Sequence, residues 1–320
     1  MTNFNKNRGI KVCSFLPAAT QMIYDMGLQH LLHGVTFECP KQALEEKQIC
    51  VRYVLEGNTY SSIEIDKIFS ASKAQGKSLY YVDDRVLRQI QPDIIFTQDV
   101  CEVCQIDTAC TAAAVAKLDK QPTLVPLSPN NLTDVFNTAI TIATAMGKEE
   151  AAYAYLAKLR SQIDFIIDEL RRTKALPKRV LLMEWIAPIY NCGHWIPHQI
   201  AYAGGIDMLG NPGGDSIVTS WEKIKKYDPE VLVIAPCGFD IKRTRQEIDL
   251  LIELNGWSDL SAVKNGAVFI ADYDLFTQPS AGTLVDGIAL LAALFHPEIF
   301  SVPVHLRNKY APLLNEKVYG

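Results

Sequence analysis

The sequence predicts an α/β protein made of two lobes joined by one long helix, and three patterns lead to this prediction. Short apolar strands are each followed by a helix, one order of strands and turns occurs twice, and a long amphipathic segment separates the two copies. Continuous apolar strands that alternate with helices are typical of parallel sheets covered on both faces. We therefore expect two Rossmann-like lobes with parallel sheets.

Length and composition support this fold class and exclude others. The chain has 320 residues, 48% hydrophobic and 21% charged, with a net charge of −5, which is an ordinary globular balance for about two domains. The sequence shows no basic face of the kind that binds nucleic acid. The longest apolar runs, such as 288–295, are far shorter than the roughly 20 residues of a membrane span. We expect neither a nucleic-acid partner nor membrane insertion.

The two halves share an order of short phrases. Each half contains a glycine followed by an apolar residue, at Gly27 and at Gly205. Further along, each half contains a proline followed by an acidic and an apolar residue, at Pro92 and at Pro229. The two glycines are 178 residues apart and the two prolines 137. The first half is therefore longer by 41 residues, which fit the stretch 41–82, including a predicted helix around Ser62 to Ala74. The duplication favours two lobes over one large domain.

The connecting segment contains two predicted helices. The first covers 131–146 with Asn130 or Asn131 as its cap, and the second covers 149–172 with apolar residues at three- and four-residue spacing. The second would be about 36 Å long, enough to brace two lobes. We expect a first lobe at 1–127, linking helices at 128–177, a second lobe at 178–297 and a tail at 298–320. The last helix of the second lobe is expected to pack back on the first lobe. The tail is expected to contain a last helical turn at 310–314.

Unusual residues follow the predicted strands. Ligands of open parallel sheets bind at the carboxyl ends of the strands, and five of the eight cysteines (39, 101, 104, 192 and 237) fall there. We expect a shared groove between the lobes that holds the ligand. Its predicted lining residues are Glu38, Cys39, Arg52, Gln98, Asp99, Glu102, Glu184, Trp185, His194, Trp195, Pro236, Cys237, Gly238 and Phe239.

The pair Cys101 and Cys104 forms a single C-x-x-C motif. Two thiolates at this spacing suit a soft metal such as zinc, a redox disulfide or a thiol activated at a helix start. A structural zinc site normally has a second pair, which is missing here. Two buried cysteines that act as small apolar residues are an equally good explanation. The metal ligands, if a metal binds, are predicted to be Cys101 and Cys104.

The start of the chain is polar and leads directly into a predicted strand, without the apolar stretch of a secretory signal. The expected location is therefore the cytoplasm, with reduced thiols. A periplasmic or cell-surface location would apply if a leader had been removed.

Several phrases together resemble the BtuF-like family of ABC-importer substrate-binding proteins, which has a helical-backbone fold. The likeness covers residues 10–298 and extends to a leaderless, cysteine-containing subgroup. That subgroup usually has His where this chain has Phe37, and often Asn where this chain has His194, so a histidine metal ligand at position 37 is not expected. The matching phrases are Ser14–Thr20, Gly76–Tyr80, Leu87–Gln98, Ala203–Gly205, Trp221 with Asp228–Pro229, Gly266–Asp272, Gln98–Cys104, Glu184–Trp185 and Pro236–Asp240.

The resemblance implies a protein that closes two lobes on a small molecule, with a corrinoid or another metal chelate as the leading ligand. Two alternatives remain open: a thiol- or metal-dependent enzyme that uses Cys101, Cys104 or Cys237, and an exported importer component that works with an ABC permease. The sequence has no nucleophile elbow, phosphate-binding loop or dinucleotide fingerprint, and it assigns no catalytic acid–base pair.

Overall fold

The computed structural model describes residues 9–75, 78–98 and 108–313. Contacts divide the chain into two compact units. The first takes in described residues of 1–60, 65–128 and 136–156, and the second those of 61–64, 129–135 and 157–320.

The first unit is built on a six-stranded sheet in the order β4-β3-β2-β1-β5-β6. β4 pairs antiparallel with β3, and the other neighbours pair in parallel. The strands are β1 (Val12–Ser14), β2 (Leu32–Thr36), β3 (Gln48–Tyr53), β4 (Tyr80–Val82), β5 (Ile94–Thr97) and β6 (Thr123–Pro126). The helices are α1 (Pro17–Asp25), α2 (Lys41–Glu46), α3 (Ser62–Ala74), α4 (Asp84–Ile90), α5 (Thr108–Val115), α6 (Leu132–Ala145) and α7 (Glu149–Thr173), of which α3, α6 and α7 contain residues of both units.

The second unit contains a five-stranded sheet in the order β13-β12-β11-β7-β9 and a short parallel pair of β8 and β10. Its strands are β7 (Lys178–Met183), β8 (Gly193–His194), β9 (Gly205–Ile206), β10 (Asn211–Pro212), β11 (Val231–Ile234), β12 (Val268–Ala271) and β13 (Tyr310–Pro312). Its helices are α8 (Ile196–Tyr202), α9 (Trp221–Tyr227), α10 (Ile241–Arg245), α11 (Asp249–Ile252), α12 (Ser261–Lys264) and α13 (Ala281–Phe295). The two separate parallel-dominated sheets confirm the predicted fold class.

The long helix α7 follows its predicted bounds to within one residue. Its buried side chains recur every three or four residues, as the apolar pattern requires. Acidic residues stand in its first turn and Arg171 and Arg172 in its last, which complements the helix dipole. The buried stripe consists of Ala152, Leu156, Leu159, Ile163 and Ile166.

One feature near the C-terminus differs from the sequence prediction. Residues 310–312 form β13, antiparallel to β12, and no helical turn is found there. An open sheet edge offers unpaired backbone groups, and this segment pairs with them. The last helix, α13, packs on α8 within the second unit: the Gln199 side-chain amide donates to the Leu284 carbonyl at 2.8 Å. The expected packing of this helix on the first lobe stays a prediction.

The core of the first sheet contains a glycine between two thiols. Gly34 on β2 is flanked by Cys13 on β1 and Cys50 on β3, and both cysteines are fully buried. A Cβ atom at Gly34 would lie 2.4 Å from Cys50 Sγ and 2.7 Å from Cys13 Sγ. The two sulfur atoms therefore occupy the space that a side chain at position 34 would need.

Candidate functional site

The carboxyl ends of β7 and β11 lie side by side in the second unit. The Cys237 amide donates to the Glu184 carbonyl at 3.0 Å, which ties the two strand ends together. A turn follows β11, in which the Phe239 amide donates to the Pro236 carbonyl and Gly238 has a positive φ of 78°. Cys237 and Gly238 are exposed, whereas Pro236 and Phe239 are buried. The turn thus exposes the Cys237 thiol and the backbone of Gly238 to solvent.

Trp185 and Phe239 form an aromatic pair at these strand ends. Their ring centroids are 5.1 Å apart, and the Arg243 guanidinium lies 4.3 Å from the centre of the Phe239 ring. Trp185 is half-buried, and its enclosed Nε1 has no hydrogen-bond partner among the described residues. Trp185 thus offers a half-buried ring that is backed by the buried Phe239, and its enclosed Nε1–H lacks a partner.

Glu184 directs its carboxyl into the protein. One oxygen accepts from the Gly193 amide at 2.9 Å and the other from the Ser216 hydroxyl at 2.6 Å. Burial raises the pKa of the Glu184 carboxyl to about 7, although the bonds from Ser216 and Gly193 oppose the shift. Glu184 therefore holds two loops in place.

The loop around β8 is packed tightly against its surroundings. A Cβ atom at Gly193 would lie 2.5 Å from the Gly214 carbonyl oxygen, so only glycine fits there. His194 has a positive φ of 52° and stacks on Trp195 at 5.3 Å. Burial lowers the pKa of His194, while Asp215 at 3.8 Å opposes this shift. Trp195 is 8% exposed and donates from Nε1 to the Phe276 carbonyl at 2.6 Å, so it belongs to the core.

Two cysteines of the predicted rim are buried. Cys39 Sγ donates to Thr20 Oγ1 at 3.1 Å, and burial raises the pKa of the Cys39 thiol to about 12. Cys192 Sγ donates to Asp207 Oδ2 at 3.4 Å, and burial raises the pKa of this thiol as well. Both thiols are protonated at neutral pH and engaged with protein groups.

Three polar residues predicted in the first half remain partly open to solvent. Glu38 is exposed, although the surrounding protein still raises the pKa of its carboxyl to about 7 by desolvation. Arg52 lies 3.3 Å from Glu56, and Gln98 is half-buried after β5.

The first unit also has an aromatic cluster that the sequence analysis missed. Phe37, which follows β2, stacks on Tyr53 at 5.6 Å, and Tyr53 stacks on Tyr80 at 5.1 Å and on Phe69 at 6.3 Å. We call these four residues the first-unit aromatic cluster. The one sequence signal for this cluster was that Phe37 stands where the leaderless, cysteine-containing subgroup usually has histidine.

The four remaining predicted site residues, Asp99, Cys101, Glu102 and Cys104, lie outside the described residues. Within the described ranges, no group of three His, Cys, Asp or Glu side chains is arranged to hold a metal ion. In the same ranges no helix combines the length and apolar character that crossing a bilayer requires. The prediction that residues of both halves face one groove stays a prediction.

The chain is similar to several known proteins. It is 21% identical over 303 residues to an uncharacterized ABC transporter substrate-binding lipoprotein, YvrC, of Bacillus subtilis, covering 91% of this chain and 81% of the relative. A periplasmic heme-binding protein from Pseudomonas aeruginosa superposes with a TM-score of 0.64 and 19% identity, over 90% of this chain and 93% of that one. The periplasmic vitamin B12-binding protein BtuF of Vibrio cholerae superposes with a TM-score of 0.60 and 17% identity, over 90% and 96%.

These likenesses agree with the fold predicted from the sequence. In addition, the model of the periplasmic binding protein family matches residues 40–275, which is most of the chain. The matched region contains the β7 and β11 strand ends and three members of the first-unit aromatic cluster, Tyr53, Phe69 and Tyr80, while Phe37 precedes it. The chain belongs to the periplasmic binding protein family.

Proposed function

We propose that this protein binds a planar metal chelate of the tetrapyrrole type, with a corrinoid as the first candidate. The observation that carries the proposal is the presence of aromatic side chains at strand carboxyl ends in each unit: the Trp185–Phe239 pair and the first-unit aromatic cluster. Flat aromatic side chains give large, rigid contact area to flat apolar ligands.

Polar groups near these surfaces suit the substituents of such a ligand. The Trp185 Nε1–H is enclosed and unsatisfied, and a change of the Trp185 rotamer would let it donate a hydrogen bond to an acceptor on the ligand. Glu38, Arg52 and Gln98 keep solvent contact and can meet amide or carboxylate groups. Heme and vitamin B12 are named as ligands of two structural relatives, which supports the same ligand class here.

A role as the binding component of an ABC importer is the second proposal. It is supported by the family match and by the Bacillus relative, which is named a substrate-binding lipoprotein. These comparisons give no support to the cytoplasmic location expected from the sequence, and they favour placement outside the cytoplasm with a permease partner. Cell fractionation of the native host tests this, because an importer component must be found in the periplasm or on the cell surface.

The binding proposal is tested by titration with cyanocobalamin, haemin and a ferric hydroxamate, followed by ligand absorbance and tryptophan fluorescence. We expect saturable binding of a tetrapyrrole, and we expect Trp185→Leu to weaken it at least about tenfold, or about 1.4 kcal/mol.

The matched control is Trp221→Phe, because Trp221 stacks on Trp257 at 6.1 Å and donates to the Asn255 carbonyl instead of packing on Phe239. This variant should bind like the wild type. The proposal is wrong if no tetrapyrrole binds at tens of micromolar, or if Trp185→Leu and Trp221→Phe behave alike.

A further inference from the structure

The helix α3 has two separate sets of contacts at its start. Ser61 and Glu64 form a capping box, in which Glu64 Oε2 accepts from the Ser61 amide at 2.8 Å and the Glu64 amide donates to Ser61 Oγ at 3.3 Å. The next amide, that of Ser62, donates to both carboxylate oxygens of Glu247, at 2.9 and 3.2 Å. The first bonds are local, whereas the second cross 185 positions of sequence.

This long-range contact anchors an inserted segment. α3 lies in the stretch 41–82 by which the first half exceeds the second. Residues 61–64 belong to the second unit, and 65–74 belong to the first. The Glu247 bonds therefore hold the first turn of α3 within the second unit.

Glu247 is also linked to the aromatic pair. Its carboxylate forms an ion pair with Arg243, and the same guanidinium lies over the Phe239 ring that packs on Trp185. Burial would raise the pKa of Glu247, but hydrogen bonds from Ser62 and Arg243 outweigh burial and lower it, so the group is a carboxylate at neutral pH. Glu247 is only 9% exposed, so it depends on these two partners.

We propose that α3 is a strap latched by Glu247, and that Arg243 couples the latch to the Trp185–Phe239 surface. Displacement of Phe239 moves the cation that neutralises Glu247, which loosens the bonds to Ser62. A ligand that packs on Trp185 holds Phe239 and Arg243 in place behind it and keeps the Ser62 bonds formed. The ligand part of this inference rests on the proposed function, but the latch does not.

Amide hydrogen exchange of α3 in the free protein tests the latch. Glu247→Ala should accelerate exchange over residues 63–74 about tenfold, which corresponds to about 1.4 kcal/mol. Ser62→Pro should do the same, because proline at the first helical position lacks the N–H that donates to Glu247, as well as the serine hydroxyl, and keeps the Glu247–Arg243 pair. Glu253→Ala, at an exposed glutamate nearby, is the control and should change nothing.

The coupling is tested by a double-mutant cycle. Phe239→Leu should also accelerate exchange of α3, and in combination with Glu247→Ala it should add little, because both changes act through Arg243. Exchange of the α13 amides reports global stability and should stay constant. Unchanged α3 exchange in both Glu247→Ala and Ser62→Pro would overturn the latch, and additive effects of Phe239→Leu would overturn the coupling.

Cyanocobalamin and haemin provide the last arm of the experiment. A probe that binds should slow α3 exchange in the wild type and have less effect in Phe239→Leu. Binding without any change at α3 would overturn the coupling to the ligand. If neither probe binds, the proposed tetrapyrrole ligand is wrong, while exchange in the free protein still decides the strap.

Discussion

Replacing Glu184 by glutamine should stabilise the protein above pH 7 and leave its stability near pH 4.5 almost unchanged. Burial raises the pKa of the Glu184 carboxyl from 4.5 to about 7. The folded protein therefore holds this proton more tightly than the unfolded chain does. The stabilisation is complete below pH 4.5 and is lost as the pH rises through 7.

The expected size follows from the shift. Each pKa unit corresponds to about 1.36 kcal/mol, so the ionised Glu184 destabilises the folded state by about 2 to 3 kcal/mol at pH 8, allowing for its remaining solvent contact. Glutamine keeps both hydrogen bonds, because its oxygen can accept from the Gly193 amide and its amide group can donate to the Ser216 hydroxyl.

Urea unfolding of wild type and Glu184→Gln at pH 5, 6, 7 and 8 measures this effect. The free energy of unfolding of the variant minus that of the wild type should grow with pH and level off near pH 8. Glu253→Gln, at an exposed glutamate, is the matched control and should leave this difference constant across the same pH range. A constant difference for Glu184→Gln between pH 5 and 8 would refute the role of burial.

Three further predictions concern packing and reactivity. Gly34→Ala should lower the free energy of unfolding by about 1 to 3 kcal/mol, because its Cβ would overlap the two flanking thiols; wild-type stability of the variant would show that these sulfur atoms move aside freely. Asn131→Ala should cost about 1 kcal/mol, because the Asn131 side chain accepts from the Asp134 amide at the start of α6, and an unchanged melting temperature would contradict this capping role. Peptide mapping after brief iodoacetamide treatment should find Cys237 alkylated and Cys39 unmodified. The reason is that Cys237 is exposed, whereas Cys39 is buried and the pKa of its thiol is raised. Equal labelling of the two cysteines would show that the described packing at the strand ends is wrong.

Hydrophobic periodicity was sufficient to predict the main elements. The α7 stripe from Ala152 to Ile166 and the apolar runs of β7 and β11 are local patterns, and burial follows from them directly. The positions of Trp185 and Cys237 directly after two predicted parallel strands likewise predicted that these residues lie near each other. The C-terminal segment was predicted wrongly, because β13 forms by pairing with an available sheet edge and its own residues carry little strand signal.

Tertiary structure alone decided which way the side chains of the predicted rim point. Cys39, Cys192 and Trp195 follow strands in sequence, yet each turns inward to a protein partner, because loop geometry and not sequence spacing sets the direction of a side chain. The first-unit aromatic cluster and the contact between Glu247 and Ser62 join segments far apart in the chain, and no local pattern encodes such pairs. The sequence by itself determined two parallel-sheet lobes, a long connecting helix and the chemistry of the strand ends, whereas long-range packing decided which of those groups remain available to a ligand.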